Sequence, residues 1–121
     1  MPRFLALYMG SATSSQQAEW NALTKQEQDE RSQRGMAAWG AWVQQHRDAI
    51  RDIGSPLGKT LLASATGITP TRNGIAAYVI VEADSHEAAA RMFEGHPHFS
   101  IFPGTCVEIL QCLPVPGAVE A

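Results

Sequence analysis

The chain has 121 residues, 45% hydrophobic and 17% charged, which is enough for one domain with a buried core and excludes disorder throughout the chain. Nine basic against twelve acidic residues leave a net charge of −3, and the basic residues are scattered, which argues against a nucleic-acid partner. No stretch approaches the roughly 20 apolar residues of a membrane helix and no targeting signal is visible, so we expect a cytoplasmic protein without a membrane partner.

In the first half of the chain the hydrophobic pattern predicts one strand followed by a long helical region. Residues 3–9 alternate between two apolar faces, as a strand does. A short helical piece is predicted around residues 15–22. Thr24 and Glu27 form a capping box that begins a longer helix, which we expect to run to about Asp52.

The second half of the chain adds three predicted strands and one helix. The strands are expected at residues 60–66, 76–83 and 106–113, and the link between the first two is rich in turn residues. A helix is expected at residues 85–94, where Gly95 stops it.

The order of these elements is β-α-β-β-α-β, which predicts an α+β, ferredoxin-like fold with both helices on one face of an antiparallel sheet. We assign residues 1–113 to a single domain and residues 114–121 to a C-terminal tail. The strands are apolar on both faces; Tyr78, for example, opposes Val79. Since helices cover only one face and large exposed apolar patches are uncommon in monomers, we predict a homodimer with sheets packed face to face.

The two cysteines are predicted to be unpaired. Cys106 and Cys112 lie in one predicted strand, where six residues place their Cα atoms roughly 20 Å apart, beyond the reach of a disulfide. Free thiols fit a reducing, cytoplasmic compartment.

One stripe of the long helix carries the first candidate site. His46 is its only polar member, and Trp39 and Trp42 flank it. His46 is either a histidine at the core margin or an acid–base residue pointing into a cleft. The tryptophans are either core residues or apolar pocket walls. The stripe follows a spacing of 3, 4, 3, 4 and 3 residues and consists of Met36, Trp39, Val43, His46, Ile50 and Ile53.

The segment from Gly95 to Phe99 carries the second candidate, a pair of histidines around a proline. In an extended segment His96 and His98 would point the same way and, with His46, could bind a metal. Three histidines without a carboxylate are a weak metal signal, so no metal and no other cofactor is predicted. We expect one of the pair to face a pocket and the other to face solvent.

Glu108 is an acid on an otherwise apolar strand face, which it shares with Cys106 and Leu110. It is either a pocket carboxylate with a raised pKa or a charge at an edge strand or dimer rim.

Several of these residues form ordered motifs that resemble the YCII-related (DGPF-domain) proteins, specifically a branch with a Gly-His-Pro-His motif. The resemblance implies a dimeric α+β barrel. It also implies a pocket histidine paired with an aspartate, and one branch is similar to enzymes that remove chloride from hydroxylated aromatic rings. At the aspartate position this chain has His96, and His46 lies near the position of the histidine. The motifs are Trp39-x-x-Trp42-x-x-x-His46, Asp52-x-Gly54-x-Pro56-Leu57-Gly58, Tyr78-x-Ile80-Val81-x-Ala83-Asp84-Ser85, Gly95-His96-Pro97-His98-Phe99 and Val107-Glu108-Ile109.

These observations predict a small homodimeric pocket protein that acts on a small, aromatic molecule by proton transfer. The alternative is a non-catalytic module that binds a small ligand or only mediates assembly. The predicted catalytic residues are His46 and His96, and the predicted ligand-binding residues are Trp39, Trp42, His98 and Glu108.

Overall fold

The computed structural model describes residues 1–117, which form an antiparallel sheet with helices packed on one face. Its elements are, in chain order, β1 (Arg3–Met9), α1 (Ser15–Ala22), α2 (Lys25–Gln45), β2 (Ile50–Asp52), β3 (Thr60–Ser64), β4 (Gly67–Thr71), β5 (Ile75–Glu82), α3 (His86–Arg91), α4 (Pro97–Ser100) and β6 (Cys106–Gln111).

The main sheet has the strand order β2-β5-β1-β6, and each neighbouring pair is antiparallel. With the β3–β4 hairpin set aside as an excursion, the remaining strands and the helices α2 and α3 follow the β-α-β-β-α-β order. The prediction of an α+β, ferredoxin-like fold is confirmed.

The predicted end of the long helix is wrong. The helix α2 ends at Gln45 with His46 as its C-cap, and Ile50–Asp52 forms the edge strand β2 beside β5. The isoleucines at 50 and 53 continue the helical spacing of the stripe, but tertiary pairing overrides that pattern. Ile50 pairs with Val81, and a salt bridge of 2.9 Å joins Arg51 to Glu82.

The predicted second strand of the sheet is also wrong in its partner. Residues Thr60–Ser64 form β3, which pairs with Gly67–Thr71 in a separate two-stranded sheet rather than with β5. The partner strand β4 lies within the segment for which the sequence predicts a turn-rich link. Pro70 is tolerated there because both strands of an isolated hairpin are edge strands.

The remaining boundaries agree closely with the sequence. The strand β1 and the helix α1 have their predicted ends, and α2 begins with the predicted capping box. In that box the Glu27 N–H donates to the Thr24 hydroxyl at 3.1 Å, and the Thr24 N–H donates to the Glu27 carboxylate at 2.9 Å. The helix α3 is shorter than predicted, and its N-cap is Ser85.

The core lies between the sheet and the helices. Alternation along β1 places Phe4, Ala6 and Tyr8 on the helix face, where all three are buried. The opposite face, which we call the open face, carries Leu5, Leu7, Tyr78, Ile80, Glu108 and Leu110, and no helix within residues 1–117 covers it. The buried hydrophobic residues are Phe4, Ala6, Tyr8, Trp42, Val79, Val81, Ala89 and Phe93.

Both cysteines are unpaired and exposed, as predicted. Among residues 1–117, no helix has the length and apolar character needed to span a membrane. Residues 114–117 of the predicted tail are exposed, while residues 118–121 lie outside the described residues. The division into one domain and a tail, and the cytoplasmic location, stay predictions.

Candidate small-molecule site

A cavity of about 610 Å³ opens between α2, the sheet and the loop that follows β2. Its walls are mostly apolar and aromatic, as is usual for small-molecule pockets. The ionisable lining residues whose side chains lie on the helix face are Tyr8 and His98, whereas Tyr78 reaches the rim from the open face, where it pairs with Leu7; no Asp, Glu, Lys, Arg or Cys is among the lining residues. The lining consists of Tyr8, Met36, Trp39, Gly40, Trp42, Val43, Ile50, Ile53, Gly54, Ser55, Pro56, Ala76, Ala77, Tyr78, Val79 and His98.

Two tryptophans of α2 form one wall of the cavity. The Trp42 indole N–H donates to the Met92 carbonyl at 2.8 Å, which attaches α2 to the end of α3. The Trp39 ring packs against Tyr8 with the ring centroids 4.9 Å apart. These two contacts hold both rings in place within the chain itself.

His96 is fully buried at the N-cap of α4. Its Nδ1 accepts a hydrogen bond of 3.0 Å from the His98 backbone N–H, and its Nε2 lies 3.4 Å from the Tyr8 hydroxyl. A ring nitrogen that accepts from a backbone N–H carries no proton, so the neutral ring has its proton on Nε2. His96 therefore donates to the Tyr8 oxygen, and the Tyr8 O–H is left to donate elsewhere.

Burial keeps the imidazole of His96 neutral. Desolvation disfavours its charged form, and the nearby His98 and His46 add to the effect, which together lower the pKa of His96 to about 4. Burial also raises the pKa of the Tyr8 hydroxyl well above its ordinary value of 10. At neutral pH the pair consists of an uncharged imidazole and a protonated phenol.

His98 contributes the imidazole that lines the cavity. Its Nε2 is 2.6 Å from the Met9 carbonyl, and because a carbonyl can only accept, Nε2 carries the proton. Burial lowers the pKa of His98, and the Met9 carbonyl partly offsets this effect. The ring edge lies against Gly104, where a Cβ would collide with it. The His98 Nδ1 has no hydrogen-bond partner among the residues that the structure describes, and it is the acceptor left for a ligand.

His46 occupies a different place from the two other histidines. It caps the end of α2, its Nδ1–H donates to the Trp42 carbonyl at 2.9 Å, and it is not among the residues that line the cavity. The Trp42 ring contacts both His46 and His96, with centroid distances of 4.6 and 4.8 Å. No hydrogen bond joins the two imidazoles in the described part of the chain.

The other predicted site residues divide between the two faces of the sheet. Trp39, Trp42 and His98 line the cavity. Glu108 is exposed on the open face, where it lies opposite Leu7 of β1, so it is on the other side of the sheet from the cavity.

The expected conformation of the His96–His98 segment is wrong. It forms the short helix α4, with His96 as N-cap, and both imidazoles are buried rather than one facing solvent. The proline explains the difference, because Pro is favoured in the first turn of a helix and an N-cap residue precedes it. Within residues 1–117, no group of three or more His, Cys, Asp or Glu side chains is arranged to hold a metal ion.

Two residues of the site have no counterpart in the sequence-based prediction. Tyr8 was assigned only to a strand, although its alternation with Phe4 and Ala6 indicates a helix-facing position. Gly104 supports the His98 ring from a loop. Its role depends on a contact across the chain that no local pattern reports.

The site and the fold together define a ferredoxin-like α+β protein with an apolar cavity. No protein-family model and no curated protein matches the sequence. A solved structure of 5-chloro-2-hydroxyhydroquinone dehydrochlorinase from Burkholderia phenoliruptrix AC1100, in complex with 2,5-dihydroxybenzoquinone, is similar with a TM-score of 0.48 and 19% sequence identity. The likeness covers 88% of this chain and 89% of that chain. At this level of similarity it carries no argument about what the cavity binds.

Proposed function

We propose that the protein binds a small, uncharged aromatic molecule in the cavity and exchanges a proton with its hydroxyl group through His98. The observation that carries the proposal is a mostly apolar cavity of about 610 Å³ whose lining includes His98 and Tyr8 but no Asp, Glu, Lys or Arg. In this proposal His96 acts through Tyr8, and His46 takes no direct part.

The charge of the ligand follows from the lining. Burying an ionised group without a partner costs several kcal/mol, and no cationic or anionic side chain lines the cavity to offset that cost. Flat apolar walls formed by Trp39 and Trp42 favour an aromatic ring. The resemblance to the YCII-related proteins agrees with such a ligand.

The polar atoms favour a hydroxyl group on that ring. The Tyr8 O–H is a free donor, since His96 occupies its oxygen, and the His98 Nδ1 is a free acceptor. A hydroxyl group is both acceptor and donor, so one phenolic oxygen can satisfy both atoms.

The same arrangement supports a balanced proton transfer. The phenolic proton passes to the His98 Nδ1, which leaves a phenolate oxygen and an imidazolium ion. The Tyr8 O–H stabilises the phenolate, and the Met9 carbonyl stabilises the imidazolium. Return of the proton to a ring carbon beside the oxygen gives the keto tautomer, and reversal restores the phenol.

Calorimetry with a matched pair of probes tests the binding. Naphthol and naphthoate share one ring system, and we expect naphthol to bind about tenfold more tightly or better near neutral pH. His98→Leu should weaken the binding of naphthol. His86→Leu is the matched control, because His86 is an exposed histidine whose Nε2 donates to the Ile109 carbonyl outside the cavity. Equal affinities for the two probes contradict the proposal.

A second candidate function is binding without turnover. It is favoured by the absence of a carboxylate, lysine or cysteine nucleophile from the lining. Deuterium exchange in heavy water separates the two functions. If the protein is an enzyme, the ring hydrogens of naphthol beside the hydroxyl group exchange faster with the protein present than in the same buffer without it. The increase should be lost in His98→Leu.

We also propose that two copies of the chain pack through the open face. That face presents Leu5, Leu7 and Ile80, which no helix of the described chain covers. Burial of apolar area stabilises an interface by about 25 cal/mol per Å², so a second sheet of the same shape is the simplest cover.

A further inference from the structure

The β3–β4 hairpin is an exposed arm with one apolar face. The pairing register places Leu61 opposite Pro70 and Ala63 opposite Ile68, so these four side chains share a face. Leu61 is 70% and Ile68 is 71% exposed. No charged residue occurs between Thr60 and Thr71.

Such a hairpin needs a cover. An isolated two-stranded sheet is marginally stable in water, and its edges and apolar face invite association. The hairpin makes its pairing contacts within itself rather than with the main sheet. Its exposed apolar face therefore has the properties of a docking surface.

A matching groove lies at the far edge of the main sheet. It has a volume of about 280 Å³ and lies between α3 and the edge strand β6. Phe93, Phe99, Val107 and Ile109 provide apolar walls, and Cys106 lies at one end.

Symmetry relates the hairpin to this groove. The hairpin leaves the sheet beside Ile75, which pairs with Met9, and β6 begins with Cys106, which also pairs with Met9. Both features thus lie at one end of the sheet, on opposite edges. Consider two open faces that pack about a two-fold axis parallel to the strands. The rotation places the hairpin edge of one sheet over the β6 edge of the other, and it keeps the same ends of the two sheets together. Each hairpin then lies beside the β6 edge of the other copy.

Charges at the two surfaces are complementary. Lys59 and Arg72 flank the base of the hairpin, next to its first pair of residues, Thr60 and Thr71. Glu108 lies near the beginning of β6 on the open face. Within residues 1–117 none of these three charged side chains forms an ion pair.

We propose that the β3–β4 hairpin of each copy clasps the β6 edge of a second copy, with its apolar face toward the α3–β6 groove and with Lys59 and Arg72 beside Glu108 of the partner subunit. This inference rests on the homodimer proposed above. It is independent of the ligand in the cavity.

Sedimentation equilibrium with two variants of the hairpin tests the docking face. Ile68→Glu puts a charge on the apolar face and should weaken the dimer by about tenfold or more. Thr69→Glu puts the same charge on the neighbouring residue, whose side chain is on the other face, and should leave the dimer unchanged. Equal effects of the two variants overturn the proposal. A monomeric wild-type protein overturns both this proposal and the homodimer.

A charge exchange tests the contact itself. Lys59→Glu should weaken the dimer, and adding Glu108→Lys in the same chain should restore it, because each copy then carries both reversed charges. Lys25→Glu at the exposed start of α2 is the control with the same change in net charge. A double variant that is weaker than Lys59→Glu alone overturns the contact.

Disulfide trapping gives a readout that does not depend on affinity. Under mild oxidation Lys59→Cys should form a covalent dimer through Cys106 of the partner subunit, since Cys106 is an exposed free thiol. The dimer should be absent when Cys106→Ser is added. A covalent dimer that persists in that double variant overturns the assigned position.

Discussion

At the scale of single residues, the site depends on which nitrogen of each imidazole carries a proton. The His98 backbone N–H fixes the tautomer of His96, and the Met9 carbonyl fixes that of His98. Each histidine is thus prepared for one role: His96 donates to Tyr8, and His98 keeps an acceptor for a ligand. Protonation of His96 would break the hydrogen bond that caps α4.

The low pKa of His96 predicts how stability depends on pH. Unfolding raises the pKa from about 4 to the ordinary value of 6.5, so between these values the unfolded chain binds the proton that the folded chain excludes. Stability is therefore full above pH 6.5 and falls as the pH drops toward 4, by roughly 3 kcal/mol at most. The lowered pKa of His98 acts in the same direction.

Chemical denaturation at a series of pH values measures this dependence. His96→Asn is the appropriate variant, because asparagine is a good N-cap residue but does not titrate. Its stability should change less between pH 6.5 and pH 4 than that of the wild type. An equally steep loss in the variant would show that other groups cause the dependence.

At the scale of elements, the two glycines of α2 differ in their surroundings: Gly35 is closely packed, and Gly40 has free space beside it. A Cβ at the buried Gly35 would lie 2.7 Å from Phe102 Cζ and 3.1 Å from Ile101 Cγ2, whereas a Cβ at Gly40 would meet nothing within 4 Å. Gly35 therefore lets the loop after α4, and with it the histidines, approach the helix.

Two glycine substitutions separate packing from helix propensity. Alanine is favoured over glycine within a helix by about 1 kcal/mol, so Gly40→Ala should stabilise the protein by up to that amount. Gly35→Ala gains the same propensity but forces Phe102 and Ile101 to move, at about 1–3 kcal/mol. Thermal or chemical unfolding should show Gly35→Ala to be the less stable variant, and the reverse order would contradict this role of Gly35.

At the scale of the whole molecule, the sheet separates the surface proposed to bind a ligand from the surface proposed to mediate assembly. The helix face contains the core, the histidines and the cavity, while the open face presents apolar side chains and Glu108. Substitutions on one face should therefore affect ligand binding or assembly without affecting the other.

A substitution on the open face tests whether two copies assemble through it. Leu7 lies on the central strand β1, between Tyr78 and Glu108. Leu7→Glu should convert the proposed dimer to a monomer, since it places a charge at the centre of the proposed interface beside another carboxylate. Light scattering measures the mass, and circular dichroism checks that the fold persists. Leu113→Glu is the control, because Leu113 is 76% exposed and follows the end of β6. A dimeric Leu7→Glu protein would place the interface elsewhere.

Features that depend on neighbours along the chain are predictable from the amino-acid sequence. The alternation of residues 3–9 predicts β1 and its two faces, and Thr24 with Glu27 predicts the start of α2. The prediction that the cysteines are unpaired follows from their separation in one predicted strand, and both thiols are free in the structure. The fold class agrees with the predicted β-α-β-β-α-β order, because hydrophobic period and capping are encoded within a few residues. One strand of that order was assigned to the wrong residues, since the second strand of the sheet is Ile50–Asp52 and the predicted strand at residues 60–66 belongs to the separate hairpin.

Features that depend on contacts between residues far apart in the chain are visible only in the folded structure. Ile50 fits a helical stripe equally well, but pairing with Val81 makes it part of a strand. His98 lines the cavity because its Nε2 reaches the Met9 carbonyl, 89 residues away, while His46 turns back to its own helix. Spacing along the chain cannot distinguish these histidines, since the hydrogen-bond partner that fixes the tautomer of each ring arises from the folded structure.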